Sequence, residues 1–95
     1  MKEIIVLPSF DRSIKKLSPN ERQKLTEGLE KFNHFLLTGE FSAGFGFKKI
    51  NHNKYEFRVS IQRRVVFKQE GGAIYLVLAG SHDEIRKYLK KYRNS

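Results

Sequence analysis

Apolar residues follow different rhythms along this chain, and each rhythm predicts an element. From Glu3 to Leu7 they run almost unbroken and β-branched, then stop at Pro8, as a buried strand would. Ser9 is placed to cap a short helix in which Phe10, Ile14 and Leu17 fall on one face at i, i+4 and i+7. A sharper boundary comes next. Ser18-Pro19-Asn20-Glu21 sets a capping serine, a proline at the first helical position and a glutamate three residues after the cap. Leu25, Leu29, Phe32 and Leu36 continue the helical period, so one stripe faces the core through Leu37 before Gly39 ends the helix. Two helices joined by so short a turn form a hairpin, which needs a flat surface to lie on.

The second half changes period. Gly39 to Gly46 is rich in glycine and phenylalanine and reads as a loop into a short strand around Phe47 to Ile50, with Asn51-His52-Asn53 as a turn. Tyr55, Phe57, Val59 and Ile61 alternate with Glu56, Arg58 and Ser60, so one strand face packs and the other carries charge. After a tight turn near Gln62, Val65 and Phe67 resume the apolar face while Arg64, Val66 and Lys68 point the other way. Glu70-Gly71-Gly72 closes a hairpin, and the nearly all-apolar run Ala73 to Ala79 predicts a strand buried on both faces. Ser81-His82-Asp83-Glu84 repeats the capping box and opens a last helix, with Ile85 and either Leu89 or Tyr88 as its buried edge. Lys87, Lys90, Lys91 and Arg93 load its end, where cations suit the helix dipole. The order is β-α-α-β-β-β-β-α, an α+β fold with an antiparallel meander sheet, a helical hairpin on one face and a C-terminal helix. Residues 1–95 are expected to form a single domain, without repeats or low-complexity segments.

Composition adds a partner class. The chain carries 19 Lys+Arg against 10 Asp+Glu, a formal charge of +9. Such an excess repels itself in the compact state and favours a polyanionic partner. Nucleic acid fits best, with an anionic membrane second and an acidic protein third. Eight Phe and four Tyr compensate for a modest 39% hydrophobic fraction, because large rings bury well. The absence of cysteine excludes disulfides and thiolate metal sites and suits a reducing cytoplasm. No apolar stretch approaches the roughly 20 residues that span a bilayer, and the run after Met1 is too short for the apolar part of a signal peptide. The expected location is therefore cytoplasmic, with no membrane partner. His34, His52 and His82 lack zinc-ligand spacing, and Gly39, Gly44 and Gly46 are not followed by the Lys-Ser/Thr of a phosphate loop. No metal and no small-molecule cofactor are expected.

Three segments carry a resemblance: Tyr55-Glu56-Phe57-Arg58-Val59, Arg64-Val65-Val66-Phe67, and Leu76-Val77-Leu78-Ala79-Gly80-Ser81-His82-Asp83. In order and spacing they resemble the RelE/ParE superfamily of toxins from type II toxin–antitoxin systems, and the element order extends the likeness over essentially the whole chain. That family places a basic residue on one strand before an arginine-led apolar strand, then ends its final strand in a small residue followed by Arg or His. The RelE-like ribonuclease branch implies a metal-independent mRNA endonuclease acting at the ribosome and arresting growth by inhibiting translation. The ParE-like branch implies poisoning of DNA gyrase, and a degenerate member would act only as a binding module; the fold alone does not choose. Either toxin reading implies a cognate acidic antitoxin, and the ribonuclease reading adds mRNA and the ribosome.

Metal-free RNA cleavage uses the ribose 2′-hydroxyl against the adjacent phosphate, so it needs a base, an acid and fixed cations. By position, Arg58 and Arg64 correspond to the family's phosphate-binding cations and are expected side by side on neighbouring strands; the bland alternative is two solvated strand residues. His82 stands where some ribonuclease members place a catalytic histidine and is the expected general acid. Glu56 is either the base or an ion-pair partner of a neighbouring arginine. Lys48, Lys49, Lys54, Lys68 and Arg86 are expected backbone-phosphate contacts, and Tyr88 a base-stacking ring, with Phe45 and Phe47 as further rings or simply core. Two features depart from the family: Arg86 occupies a position where many members carry tyrosine, and Glu56 and Arg58 stand where others carry paired lysines.

Overall fold

The computed structural model describes residues 3–40 and 45–91. Strand β1 (Glu3–Val6) ends where Pro8 removes a ladder donor, and helix α1 (Pro8–Ile14) starts with that proline in its first turn. Leu7 is the N-cap residue, with no side-chain cap. Ser9, expected to cap, instead donates its hydroxyl to the Val77 carbonyl at 2.6 Å. Ser13 accepts from the Ala79 amide at 3.0 Å and donates to the Phe10 carbonyl. The cause is topological. Strand β5 (Ala73–Gly80) pairs with β1 only through Leu76, so its backbone beyond that point needs other partners, and α1 supplies two hydroxyls.

Helix α2 (Pro19–Thr38) has the complete Ser18/Glu21 capping box and ends on Gly39 at φ 76°, a conformation that suits glycine. Strands β2 (Lys48–Lys49), β3 (Lys54–Arg58) and β4 (Arg64–Glu70) complete a sheet of order β1-β5-β4-β3-β2. The four later strands form the expected antiparallel meander; β1 adds in parallel beside β5, making a five-stranded mixed sheet. Gly71 and Gly72, both at positive φ, form the two-residue turn from β4 to β5.

Two clusters of side chains sandwich the sheet. On one face Phe10, Leu17, Leu25 and Phe32 from the helical hairpin meet Phe57, Val65, Phe67, Ile74 and Leu76. Phe32, 1% exposed, lies 4.7 Å from the Phe57 ring and 4.6 Å from Phe67, close enough for ring–ring contact beyond plain burial. On the other face Val66 and Val77 meet Ile85 of helix α3 (His82–Lys91), with Tyr88 and Leu89 packed around them. A register shift at Val66/Phe67 leaves Val77 as the extra residue, so adjacent Val77 and Leu78 both serve the α3 face.

Two expectations need correction. Alternation suggested that β3 runs through Ile61, but it stops at Arg58, because the amides of Val59 and Ser60 both donate to the Arg63 carbonyl and turn the chain. Ile61 is thereby 92% exposed at the turn. Leu37, expected on the buried stripe of α2, is exposed in the last turn of that helix. The loop expected over Gly39 to Gly46 lies partly outside the described residues.

Candidate functional site

The end of the sheet at which β3 leads into β4 collects the candidate chemistry. Register pairs Arg58 with Arg64, and Arg64 with Gly80, so three strands bring these positions into one row. His82 follows two residues after Gly80 as the first residue of α3. An added Cβ on Gly80 would sit 3.2 Å from Glu84 Cβ, so its bareness lets the first turn of α3 lie close to the strand end. Ile61, Gln62, Arg63, Arg64, Ser81, His82 and Asp83 line an open cleft of about 310 Å³. Arg64 and His82 thus line one recess.

Arg58 does not join them. Its side chain lies along Gly46, where an added Cβ would meet Arg58 Cβ at 3.2 Å, and it lines a different cleft with Lys24 and Lys31 of α2. Cross-strand pairing therefore sets the two arginine backbones side by side while the side chains serve separate recesses. Glu56, only 6% exposed, holds its carboxylate 3.5 Å from the Arg64 guanidinium. This loose, part-buried ion pair fits the second of its two expected roles.

Arg63, which the sequence reading passed over, organises the site. Its Nε donates to Glu21 at 2.7 Å and its Nη1 to Glu84 at 3.0 Å. These are the glutamates of the two capping boxes, for Glu84 also accepts from the Ser81 amide at 3.0 Å while the Glu84 amide donates to the Ser81 hydroxyl. One guanidinium therefore joins the starts of α2 and α3. The Ser18 backbone amide, followed by Arg63, holds the Glu21 carboxyl below the usual range. The Ser81 amide, with its hydroxyl and Arg63 behind it, does the same to Glu84 against the opposing effect of burial. No local sequence signal marks this bridge, because its partners lie 42 and 21 residues away.

The remaining expected contacts scatter. Lys48 and Arg86 are exposed, and Lys49 lies over the Tyr55 ring at 5.9 Å. Lys68 sits 5.4 Å from the Tyr75 ring centre and 3.5 Å from Glu70. Lys54 is only 2% exposed, which corrects its expected place as a surface phosphate contact. It stands opposite Lys68 on the neighbouring strand, and burial first, then Lys68, pushes its ammonium below the usual lysine range. Tyr88 is half-buried in the α3 cluster, while Phe45 and Phe47 pack on Phe35 in the main core. Among the described residues no three His, Cys, Asp or Glu side chains group as metal ligands, and no helix is long and apolar enough to cross a membrane.

The fold matches those of solved toxin structures. A metal-bound toxin from Helicobacter pylori superposes with a TM-score of 0.68 at 18% identity, over 90% of this chain and 99% of that one. The RelB-RelE antitoxin–toxin complex from Methanococcus jannaschii gives 0.66 at 16% identity, over 88% and 96%. The fold is that of the RelE-type toxins. The DinJ-YafQ complex from E. coli agrees, at 0.67 and 13% identity over 90% and 98%. Identities this low carry the RelE-type architecture and nothing finer. No family model and no curated protein matches the sequence.

Proposed function

We propose that this RelE-fold chain is the toxin of a type II toxin–antitoxin pair and cleaves mRNA on the ribosome by metal-independent transphosphorylation. The observation that carries the reading is the shared Arg64–His82 cleft at the sheet's rim. Attack by a ribose 2′-oxygen on the adjacent phosphorus forms the cyclic phosphate and breaks the bond to the 5′-oxygen. The hydroxyl proton goes to a base, and the leaving oxygen takes one from an acid. Asp83 is the carboxylate lining the cleft and serves as base; His82 serves as acid. Arg64 carries the charge gathering on the phosphorane, and Glu56 at 3.5 Å orients it. Pairing through an arginine fork suits phosphate oxygens and stays charged at any working pH.

The partner reading follows from charge. A chain at +9 with a cationic cleft needs an acidic, partly disordered antitoxin to cover it, and RelE and YafQ have each been solved with an antitoxin bound. Such a protein works in the cytoplasm. The test is induced expression with mapping of mRNA ends, for the parent and for Arg64→Ala. Growth arrest with new mRNA ends, both lost in the variant, supports the reading. Arrest with DNA breaks and intact mRNA points to gyrase, and a folded protein that leaves growth and mRNA unchanged is a binding module.

A further inference from the structure

The cleft that takes Arg58 away from Arg64 has its own chemistry. Lys24, Glu27, Gly28 and Lys31 of α2 and Phe45, Arg58, Val59 and Ser60 enclose about 280 Å³ open to solvent. Four of the acids are engaged elsewhere: Glu21 and Glu84 hold Arg63, Glu56 holds Arg64, and Glu70 holds Lys68. Among the described residues Lys24, Lys31 and Arg58 have no ion-pair partner, so three cations face one recess against the single carboxylate of Glu27. The surplus matches an anion of one or two charges.

Shape supports the same ligand. Gly46 stands at φ 65°, and its missing side chain is what lets Arg58 lie along it. The Ser60 hydroxyl accepts from the Arg63 amide at 3.1 Å, which leaves its own proton to donate into the cleft. The Arg64–His82 cleft lies on the other side of the same turn, residues 59–63, with Ser60 on one lining and Ile61 on the other. Ile61, 92% exposed, stands on that turn.

We infer that the Lys24–Lys31–Arg58 cleft binds a backbone phosphate of the same single RNA strand whose neighbouring phosphate occupies the Arg64–His82 cleft, the strand crossing the turn over Ile61. The inference rests on the RNA reading above and extends it to a second subsite.

Binding of a 2′-O-methyl RNA oligonucleotide, which cannot be cut, tests the subsite without requiring catalysis. Each phosphate contact contributes a slope of about −0.7 to log K against log salt for single strands. Lys24→Gln/Lys31→Gln is expected to weaken binding roughly tenfold at low salt and to flatten the slope by roughly one contact. Arg12→Gln/Lys15→Gln removes the same charge from exposed positions in and just after α1 that line neither cleft and is expected to change the slope little. Equal losses in the two double variants overturn the subsite while leaving the RNA reading intact, provided Arg64→Ala still weakens binding. A parent that binds no RNA overturns both. An RNA hairpin, too stiff to cross the turn, is expected to be insensitive to the Lys24/Lys31 change; an equal loss there overturns the crossing strand.

Discussion

Among the described glycines, Gly28 leaves the least room for a side chain, and substituting it tests how α2 seats on the sheet. An alanine Cβ there would stand 2.4 Å from Val59 Cγ1 and 3.1 Å from Val59 Cβ. Rotating the valine relieves the first clash but not the second, and β-branched side chains turn at a cost. Overpacking of this kind costs about 1–3 kcal/mol. Opposing it, alanine gains about 1 kcal/mol over glycine in a helix interior. The net expectation for Gly28→Ala is a loss of about 0–2 kcal/mol, read as a lower urea midpoint at unchanged slope. The double variant Gly28→Ala/Val59→Ala removes the nearer obstructing atom, Cγ1, and keeps the Cβ contact. Its loss should fall short of the sum of the singles by roughly 1 kcal/mol or more, the part of the clash due to Cγ1. If Gly28→Ala alone raises stability by the full helical gain, or if the two changes add, the close approach of α2 to residue 59 is wrong.

Three further outcomes follow from the charges. Arg63→Met unties the two capping glutamates, so hydrogen exchange should quicken at the amides of the first turn of α3 while the β4–β5 ladder stays protected; unchanged exchange at α3 would dismiss the bridge. The depressed Glu84 carboxyl stabilises the fold above the usual carboxylate range, and that stability is lost as pH falls through its folded value. Glu84→Gln should therefore flatten the acid side of a urea-midpoint profile, and an unaltered acid limb would contradict the cap. Lys54 has the opposite sign: its lowered ammonium value means the unfolded chain holds more protons in the alkaline window, so parent stability rises with pH there. Lys54→Met should lack that rise, and a variant that keeps it would contradict the burial of the ammonium.

Local signals were readable in the chain where a few neighbouring residues decide the outcome. Ser18-Pro19-Asn20-Glu21, Ser81 with Glu84, Gly39 and Gly71-Gly72 each impose geometry through hydrogen bonds or positive φ within four residues, and each element boundary falls there. Non-local outcomes were not readable. The parallel seat of β1 beside β5 depends on partners about 70 residues apart, and it left Ser9 serving Val77 rather than a helix. At the site, strand alternation put Arg64 on the polar face and chain order put His82 beside it. It could not reveal that Gly46 draws Arg58 aside, that Lys54 is covered, or that Arg63 spans two capping boxes, since each depends on which segments meet in space.

The most direct test of the account is the chemistry of the RNA ends left when the purified chain meets a translating ribosome with divalent ions held constant. Transphosphorylation at the Arg64–His82 cleft predicts 5′-hydroxyl and 2′,3′-cyclic phosphate ends, abolished by Arg64→Ala and strongly slowed by His82→Gln. Ends bearing a 5′-phosphate, or cleavage that persists in Arg64→Ala, would contradict it.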